Sequence, residues 1–360
     1  MKERYCIIMA GGVGSRFWPL SKNNYPKQFL DVLGTGKSFI RSTFERFLPV
    51  VPAEHFLVVT NAAYKSMVLE HLPELKPEQV LCEPMRRNTA PCIAYATYHI
   101  KSQCTDASVV VTPADHLVTN EREFQRVISL GMDFVEQPSN SEALLTIGIR
   151  PSRPETGYGY IQVNPTVLAA AQGEIVSMES FKEKPDLATA KQFVADGNYF
   201  WNSGIFIWSL NAISKAFHDY LPDMERLFEE GRNQFGTPHE QQFINEMFPN
   251  CQNISIDYGV MERSRCRYTI PADFGWSDIG TWGSLFTHAQ KDERNNAVSG
   301  NAYLVDTQDS VVNIEPGCEA IVQGMDGCLV ALRGNSLLVC HIADEQKIKE
   351  WVEHGTEPAK

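Results

Sequence analysis

The sequence predicts an α/β fold: a Rossmann-like, mostly parallel mixed sheet flanked by helices, with a small β-rich region after it. Three observations carry this. Short apolar runs alternate with helical stretches through most of the chain, the pattern of parallel strands joined by right-handed crossovers. The run Ser108-Val109-Val110-Val111-Thr112 is continuous and β-branched, as a strand buried on both faces is. After about His288, short strand-like runs recur at close, fairly even spacing with turn residues between them, which suggests a small β domain, a short β-helix or coil. The expected division is 1–287 for the α/β domain and 288–360 for the β-rich domain with its terminal helix, and 360 residues are enough for both.

Taken in order, the first element is the apolar run Tyr5 to Met9, read as a buried strand. It empties into Ala10-Gly11-Gly12-Val13-Gly14-Ser15, where missing Cβ atoms let backbone N–H groups approach a ligand closely. Arg16 and Lys27 add positive charge just past the turn, and the set makes a cradle for a polyphosphate. A dinucleotide fingerprint would need a third glycine where Phe17 stands. Gly36-Lys37-Ser38 lacks the first glycine of a P-loop, whose place Asp31 takes, and reads as a polar loop. A helix is expected from Ser38 to Leu48, and strands at Phe56 to Thr60 and Val80 to Glu83. In the loop Glu83-Pro84-Met85-Arg86-Arg87-Asn88-Thr89-Ala90-Pro91, Thr89 suits a helix cap with Pro91 in the first turn. Asp115, in Pro113-Ala114-Asp115-His116, sits at the carboxyl end of a central strand, where an acid suits a metal-bound phosphate or, equally, a turn. A strand over Leu144 to Ile149 leads to Thr156-Gly157-Tyr158-Gly159-Tyr160, read as a close approach to a flat or sugar-like ligand or as a hairpin turn. Phe181-Lys182-Glu183-Lys184-Pro185 and Trp201-Asn202-Ser203-Gly204 follow, and Ser209 to Phe248 reads as helical. Glu183 and Lys184 would point to opposite faces of a regular strand, so both can serve one ligand only if the strand ends or bulges there.

Composition narrows the function. Hydrophobic residues make up 43% of the chain, enough for a sizeable core and against disorder. The net charge is −12 with no basic stripe, which argues against nucleic acid as a partner. The nine cysteines are scattered without a CxxC pair, and several lie inside apolar runs, which suggests a reducing compartment. Zinc-ligand spacing is absent. The start reads as a strand rather than a signal peptide, and no apolar run is long enough to span a bilayer, so the expectation is a cytoplasmic protein without a membrane partner.

The glycine turn, Arg16-Phe17-Trp18-Pro19-Leu20-Ser21 and Pro26-Lys27-Gln28-Phe29-Leu30 together resemble the signature of the sugar-1-phosphate nucleotidyltransferases, and most of all the mannose-1-phosphate guanylyltransferases. The resemblance continues in order through Trp276-Ser277-Asp278-Ile279-Gly280-Thr281-Trp282. It implies a nucleotide-diphospho-sugar transferase fold with 1–287 as the catalytic domain. The implied reaction joins GTP and mannose 1-phosphate into GDP-mannose and pyrophosphate. It implies Mg²⁺ held by Asp115 and Asp278, and a nucleotide site of Ala10, Gly11, Gly12, Gly14, Ser15, Arg16, Lys27, Glu83, Asn88, Thr89, Pro113 and Asp115. Glu83 and Asn88 are candidates to accept the N–H donors of guanine, although backbone carbonyls could do the same work. Gly157, Glu183 and Asn202 would meet the sugar hydroxyls and Lys184 the sugar phosphate; Arg16, Lys27, Asp115, Lys184 and Asp278 would carry the chemistry. Asp257 and Glu262, in Ser255-Ile256-Asp257-Tyr258-Gly259-Val260-Met261-Glu262, match a motif read as structural. A homodimer associating through the β region is expected. So is a single activity, because the chain ends without room for the phosphomannose isomerase domain that many relatives carry. The alternatives are another sugar 1-phosphate, such as fucose or a heptose, an inactive regulatory paralogue, or a nucleotide-sugar-dependent glycosyltransferase.

Overall fold

Each expected strand forms where its apolar run lies. The computed structural model of the chain describes residues 2–170 and 174–355. The chain divides into two compact units: Met1–Gly11, Phe44–Ala114 and Val118–Trp276 make the larger, and Gly12–Thr43, Asp115–Leu117 and Ser277–Lys360 the smaller.

The larger unit is built on a nine-stranded mixed sheet. Its strands run across in the order Val80–Glu83, Phe56–Asn61, Glu3–Ala10, Ala107–Pro113, Tyr199–Ser209, Leu144–Ile149, Arg267–Ala272, Val176–Lys182, Tyr160–Val163. The first four are parallel to one another, with Cys6 opposite Phe56 and Tyr5 opposite Val109. Tyr199–Ser209 pairs antiparallel with Ala107–Pro113 and with Leu144–Ile149, so the sheet is mixed at its centre. Val109, Val110 and Val111 are fully buried, as a β-branched strand covered on both faces requires. The helix Thr89–Gln103 packs into the main core through Ile93, Tyr95 and Ile100.

The stretch expected to be one helical region is three helices, Leu210–Tyr220, Pro222–Glu230 and Glu240–Met247. Pro222 starts the second because a proline lacks the N–H a continuing helix needs. Between the second and third, Gly236 adopts a φ of +72° that L side chains avoid.

In the smaller unit, the terminal strands stack as two parallel ladders. Ala297–Ser299, Val311–Ile314 and Cys328–Arg333 form one, closed by antiparallel Ser336–His341; Asn301–Val305 and Glu319–Gln323 form the other. Successive parallel rungs on two faces are the geometry of a short β-helix. The core of this unit joins Phe17, Leu20, Leu30 and Phe39 to Trp282, Leu329, Leu338 and Ile348. The unit therefore reaches back across position 287 to take in residues from near the start of the chain. The loop over Gly36-Lys37-Ser38 is a turn of another kind: Asp31 accepts the backbone N–H groups of Thr35 and Gly36 at 3.0 and 2.6 Å, so these donors are already used.

Candidate active site

In the smaller unit a buried lysine draws the sequence-predicted acids together. Lys27 is 3% exposed. Its Nζ donates to the backbone carbonyl of Asp115 at 3.0 Å and to that of Asp278 at 2.6 Å, and pairs with Asp115 Oδ2 at 3.1 Å. An ammonium has three N–H donors, and here all three have acceptors. Burial would push the Asp115 carboxyl up, but the charge of Lys27, helped by His116, outweighs it and holds Asp115 below the usual carboxylate range. Asp278 follows the short strand Trp276–Ser277, and its Oδ1 accepts from the N–H of Gly280 at 3.0 Å. The glycine turn makes room for Lys27. Gly14 has φ +71°, and a Cβ there would stand 2.5 Å from Lys27 Cβ. The backbone N–H of Lys27 then bonds Val13 O at 3.0 Å. Arg16 is exposed and forms no ion pair among the described residues.

In the larger unit, Ala10 ends the first strand and Glu83 ends its neighbour but one. The Glu83 carboxylate faces Gly11: its Oε2 lies 3.6 Å from where a Cβ on Gly11 would be. Glu83 is buried and its Oε1 has no hydrogen-bond partner among the described residues. Burial pushes its pKa up to about 8, with the Cys92 thiol pulling the other way. The cap of the following helix is Asn88, not Thr89: Asn88 has φ +67° and its Oδ1 accepts from Thr89 N at 3.0 Å. Thr89 turns its hydroxyl elsewhere, accepting from Ile256 N at 2.9 Å. Pro113 ends the central strand.

The larger unit also assembles a second polar cluster. The strand Val176–Lys182 ends before Glu183, and Lys184 takes φ +45°, so the chain turns and the two side chains meet, Nζ to Oε1 at 3.2 Å. A left-handed residue just past a strand end is what lets neighbours share one face. Asn202 stands where the pairing register between its strand and Leu144–Ile149 slips. Its amide is fixed by Asp257 Oδ1 at 2.8 Å and by Thr146 Oγ1 at 2.9 Å. Gly159, rather than Gly157, lies against this cluster: a Cβ on Gly159 would come 2.5 Å from Glu183 Oε2, whereas Gly157 is exposed and has only Glu155 beside it. Asp257 and Glu262 belong to the cluster too, since Glu262 Oε1 accepts from Glu183 N at 3.2 Å. Their part was missed in the sequence; the signal was a pair of acids bracketing a short apolar turn.

The larger unit thus ends a parallel strand just before the first glycine of the turn, and the smaller holds two half-buried acids tied by one lysine. The sequence description of the nucleotidyl transferase family matches residues 5–295, and the chain belongs to that family. It is 35% identical over 359 residues to the xanthan biosynthesis protein XanB of Xanthomonas campestris, covering 98% of this chain and 73% of that one. It is 35% identical to the mannose-1-phosphate guanylyltransferase ManC of Salmonella typhimurium, covering 97% of this chain and 72% of that one. A crystal structure described as a mannose-1-phosphate geranyltransferase from Thermus thermophilus superposes with a TM-score of 0.84 at 29% identity, covering 98% of each chain. No helix among the described residues is long and apolar enough to cross a membrane.

Proposed function

We propose that the chain transfers the guanylyl group of GTP to mannose 1-phosphate, giving GDP-mannose and pyrophosphate. The observation that carries this reading is the Lys27 ammonium bonding the backbones of both Asp115 and Asp278, acids far apart in sequence. The names of the relatives support the choice of base and sugar. The nucleophile is a phosphate oxygen, whose second pKa is about 6, so it is ionised at neutral pH and needs no general base. What the chain must supply is position and balance of charge around the α-phosphorus. In this reading the backbone N–H groups of Gly11, Gly12, Gly14 and Ser15 take triphosphate oxygens, and Arg16, with no carboxylate partner among the described residues, meets the leaving pyrophosphate. Lys27 adds its charge from behind the acids. Glu83 and Asn88 serve the base. Glu183 and Asn202 serve the sugar hydroxyls, and Lys184, 59% exposed at its side chain, the sugar phosphate.

Family membership implies a divalent metal, and Mg²⁺ belongs to the proposal. Asp115 is kept ionised by Lys27, and with Asp278 it offers two hard carboxylates. Among the described residues no group of three or more potential ligands gathers. That suits Mg²⁺, which takes one or two protein carboxylates and completes its shell with phosphate oxygens and water. Bound there, it would neutralise charge on the phosphate oxygens. A homodimer is part of the same reading, supported by exposed Tyr303 and Ile321, paired across the terminal ladder. So is a cytoplasmic location, supported by nine free cysteines.

The test is a panel of nucleoside triphosphates against sugar 1-phosphates, scored by pyrophosphate release. GTP with mannose 1-phosphate is expected to exceed every other pair. Equal release from UTP with glucose 1-phosphate would overturn the specificity, and release with fucose or heptose 1-phosphate alone would reassign the sugar.

A further inference from the structure

The turn Asp257–Met261 carries an acid at its start and a second, Glu262, just past its end, and both reach the cluster around Glu183 and Asn202. The turn is a π-helix, a form that recurs at functional sites because it widens the local backbone. At its start, Asp257 Oδ1 accepts from Asn202 Nδ2 at 2.8 Å. Gly204 N, which can only donate, lies 3.3 Å from Asn202 Oδ1, so the amide orientation follows from its partners. Among the described residues the other N–H of Asn202 has no acceptor, which leaves it for a ligand. Beyond the end of the turn, Glu262 Oε1 holds the backbone N–H of Glu183 at 3.2 Å. The segment before the turn is tied to the start of the helix Thr89–Gln103 by two bonds, Ile256 N to Thr89 Oγ1 at 2.9 Å and Ala90 N to Ile254 O at 3.1 Å. Glu183 Oε2 is buried with no hydrogen-bond partner among the described residues. A buried carboxylate oxygen left without a donor is costly, and a sugar hydroxyl is the kind of group that satisfies it.

We infer that Asp257 is a positioning residue of the sugar subsite: it orients the Asn202 amide, and the turn it begins sets Glu183 through Glu262. The inference rests on the proposal that this cluster binds the sugar 1-phosphate. The charged groups around Asp257 are Glu183 and Lys184, with Glu262 beyond Glu183. Burial raises the Asp257 pKa above the ordinary carboxylate range, and the charge of Glu183 raises it further; Lys184 and Asn202 oppose the shift. As pH rises, Asp257 therefore ionises beside a second carboxylate, and a phosphate dianion meets more negative charge.

The test is steady-state kinetics of Asp257→Ala and Asp257→Asn from pH 6 to 9, with thermal unfolding alongside. In Asp257→Ala, KM for mannose 1-phosphate is expected to rise about ten- to a hundredfold, the loss that follows from freeing a group held by a charged partner. KM for GTP is expected to stay within about twofold, a change too small to count as a lost contact. Asparagine keeps the acceptor for Asn202 but cannot ionise. Asp257→Asn should therefore bind the sugar phosphate as the wild type does at low pH and lose the wild-type rise in KM at high pH. The substrate's own ionisation is common to both enzymes and cancels in their ratio. An unchanged sugar-phosphate KM in Asp257→Ala overturns the inference while leaving the reaction intact. So does a parallel rise in both KM values with a lowered Tm, or an identical pH profile for Asp257→Asn. If the wild type uses a different sugar 1-phosphate, the same comparison is made with that substrate. If it uses none, the reading and the inference fall together.

Discussion

Glu83 shows how far one residue's surroundings set its chemistry. It sits at the end of a parallel strand, buried, with one oxygen unpartnered among the described residues, and its pKa is pushed up to about 8 by burial. Its ordinary value is 4.5. The folded state thus keeps a proton that the unfolded chain gives up. Such a group favours folding fully below its unfolded pKa, and that contribution is lost as pH rises towards the folded value. A neutral amide has no such dependence. Glu83→Gln is therefore expected to gain stability relative to the wild type as pH rises from about 4.5 to about 8, and the gain should level off above that. Thermal unfolding of both proteins across this range is the check; a constant difference in Tm would show that Glu83 is not held neutral. A residue of this kind was named by motif in the sequence, but its protonation was not legible. That depends on what buries it, and Gly11 and Cys92 are remote from it in the chain or turned to it only by folding.

At the scale of the element, the glycine turn has two different glycines. Gly12 is exposed, and nothing lies within 4 Å of where its Cβ would be. Gly14 combines a left-handed backbone with a Cβ position 2.5 Å from Lys27. Gly14→Ala is expected to cost about 1–3 kcal/mol from strain and overlap, and to displace the lysine that joins Asp115 and Asp278. Gly12→Ala should cost under about 0.5 kcal/mol, as surface changes usually do. Denaturant unfolding of the two variants is the measurement, and equal losses would contradict the account. The turn itself was readable from sequence because glycine, Arg16 and Lys27 are close together in the chain. Strands such as Val80–Glu83 and Leu144–Ile149 were readable to the residue because apolar runs and their bounding residues are local signals. The single long helical stretch was not resolved into three helices, although Pro222 marks one of the breaks. The parts proposed for Asp257 and Glu262 were harder to read than the turn, since the pair of acids is a weak local signal and the contacts that reveal their part join residues 55 and 79 apart in the chain.

For the whole molecule, composition gave the change of architecture near His288 but not the extent of the smaller unit. Its core is filled by Phe17 and Trp282, whose rings lie 5.3 Å apart, together with strands of the terminal ladders. Position 287 therefore marks a change in strand pattern rather than an edge of packing. Phe17, Leu20 and Leu30, which flank Lys27 in the chain, and Ile279, next to Asp278, share a core with the β-helix, which ties the candidate catalytic acids to a region that carries none of the charged motifs. The claim that unites these observations is that this chain makes a new phosphoanhydride by attack of a sugar phosphate on the α-phosphorus of GTP. Incubation with GTP and mannose 1-[¹⁸O]phosphate, followed by mass spectrometry of the products, tests it most directly. The account expects labelled GDP-mannose and pyrophosphate free of label, because every oxygen of the attacking phosphate stays with the sugar nucleotide. Label in the pyrophosphate, or turnover of GTP with no GDP-mannose formed, would contradict it.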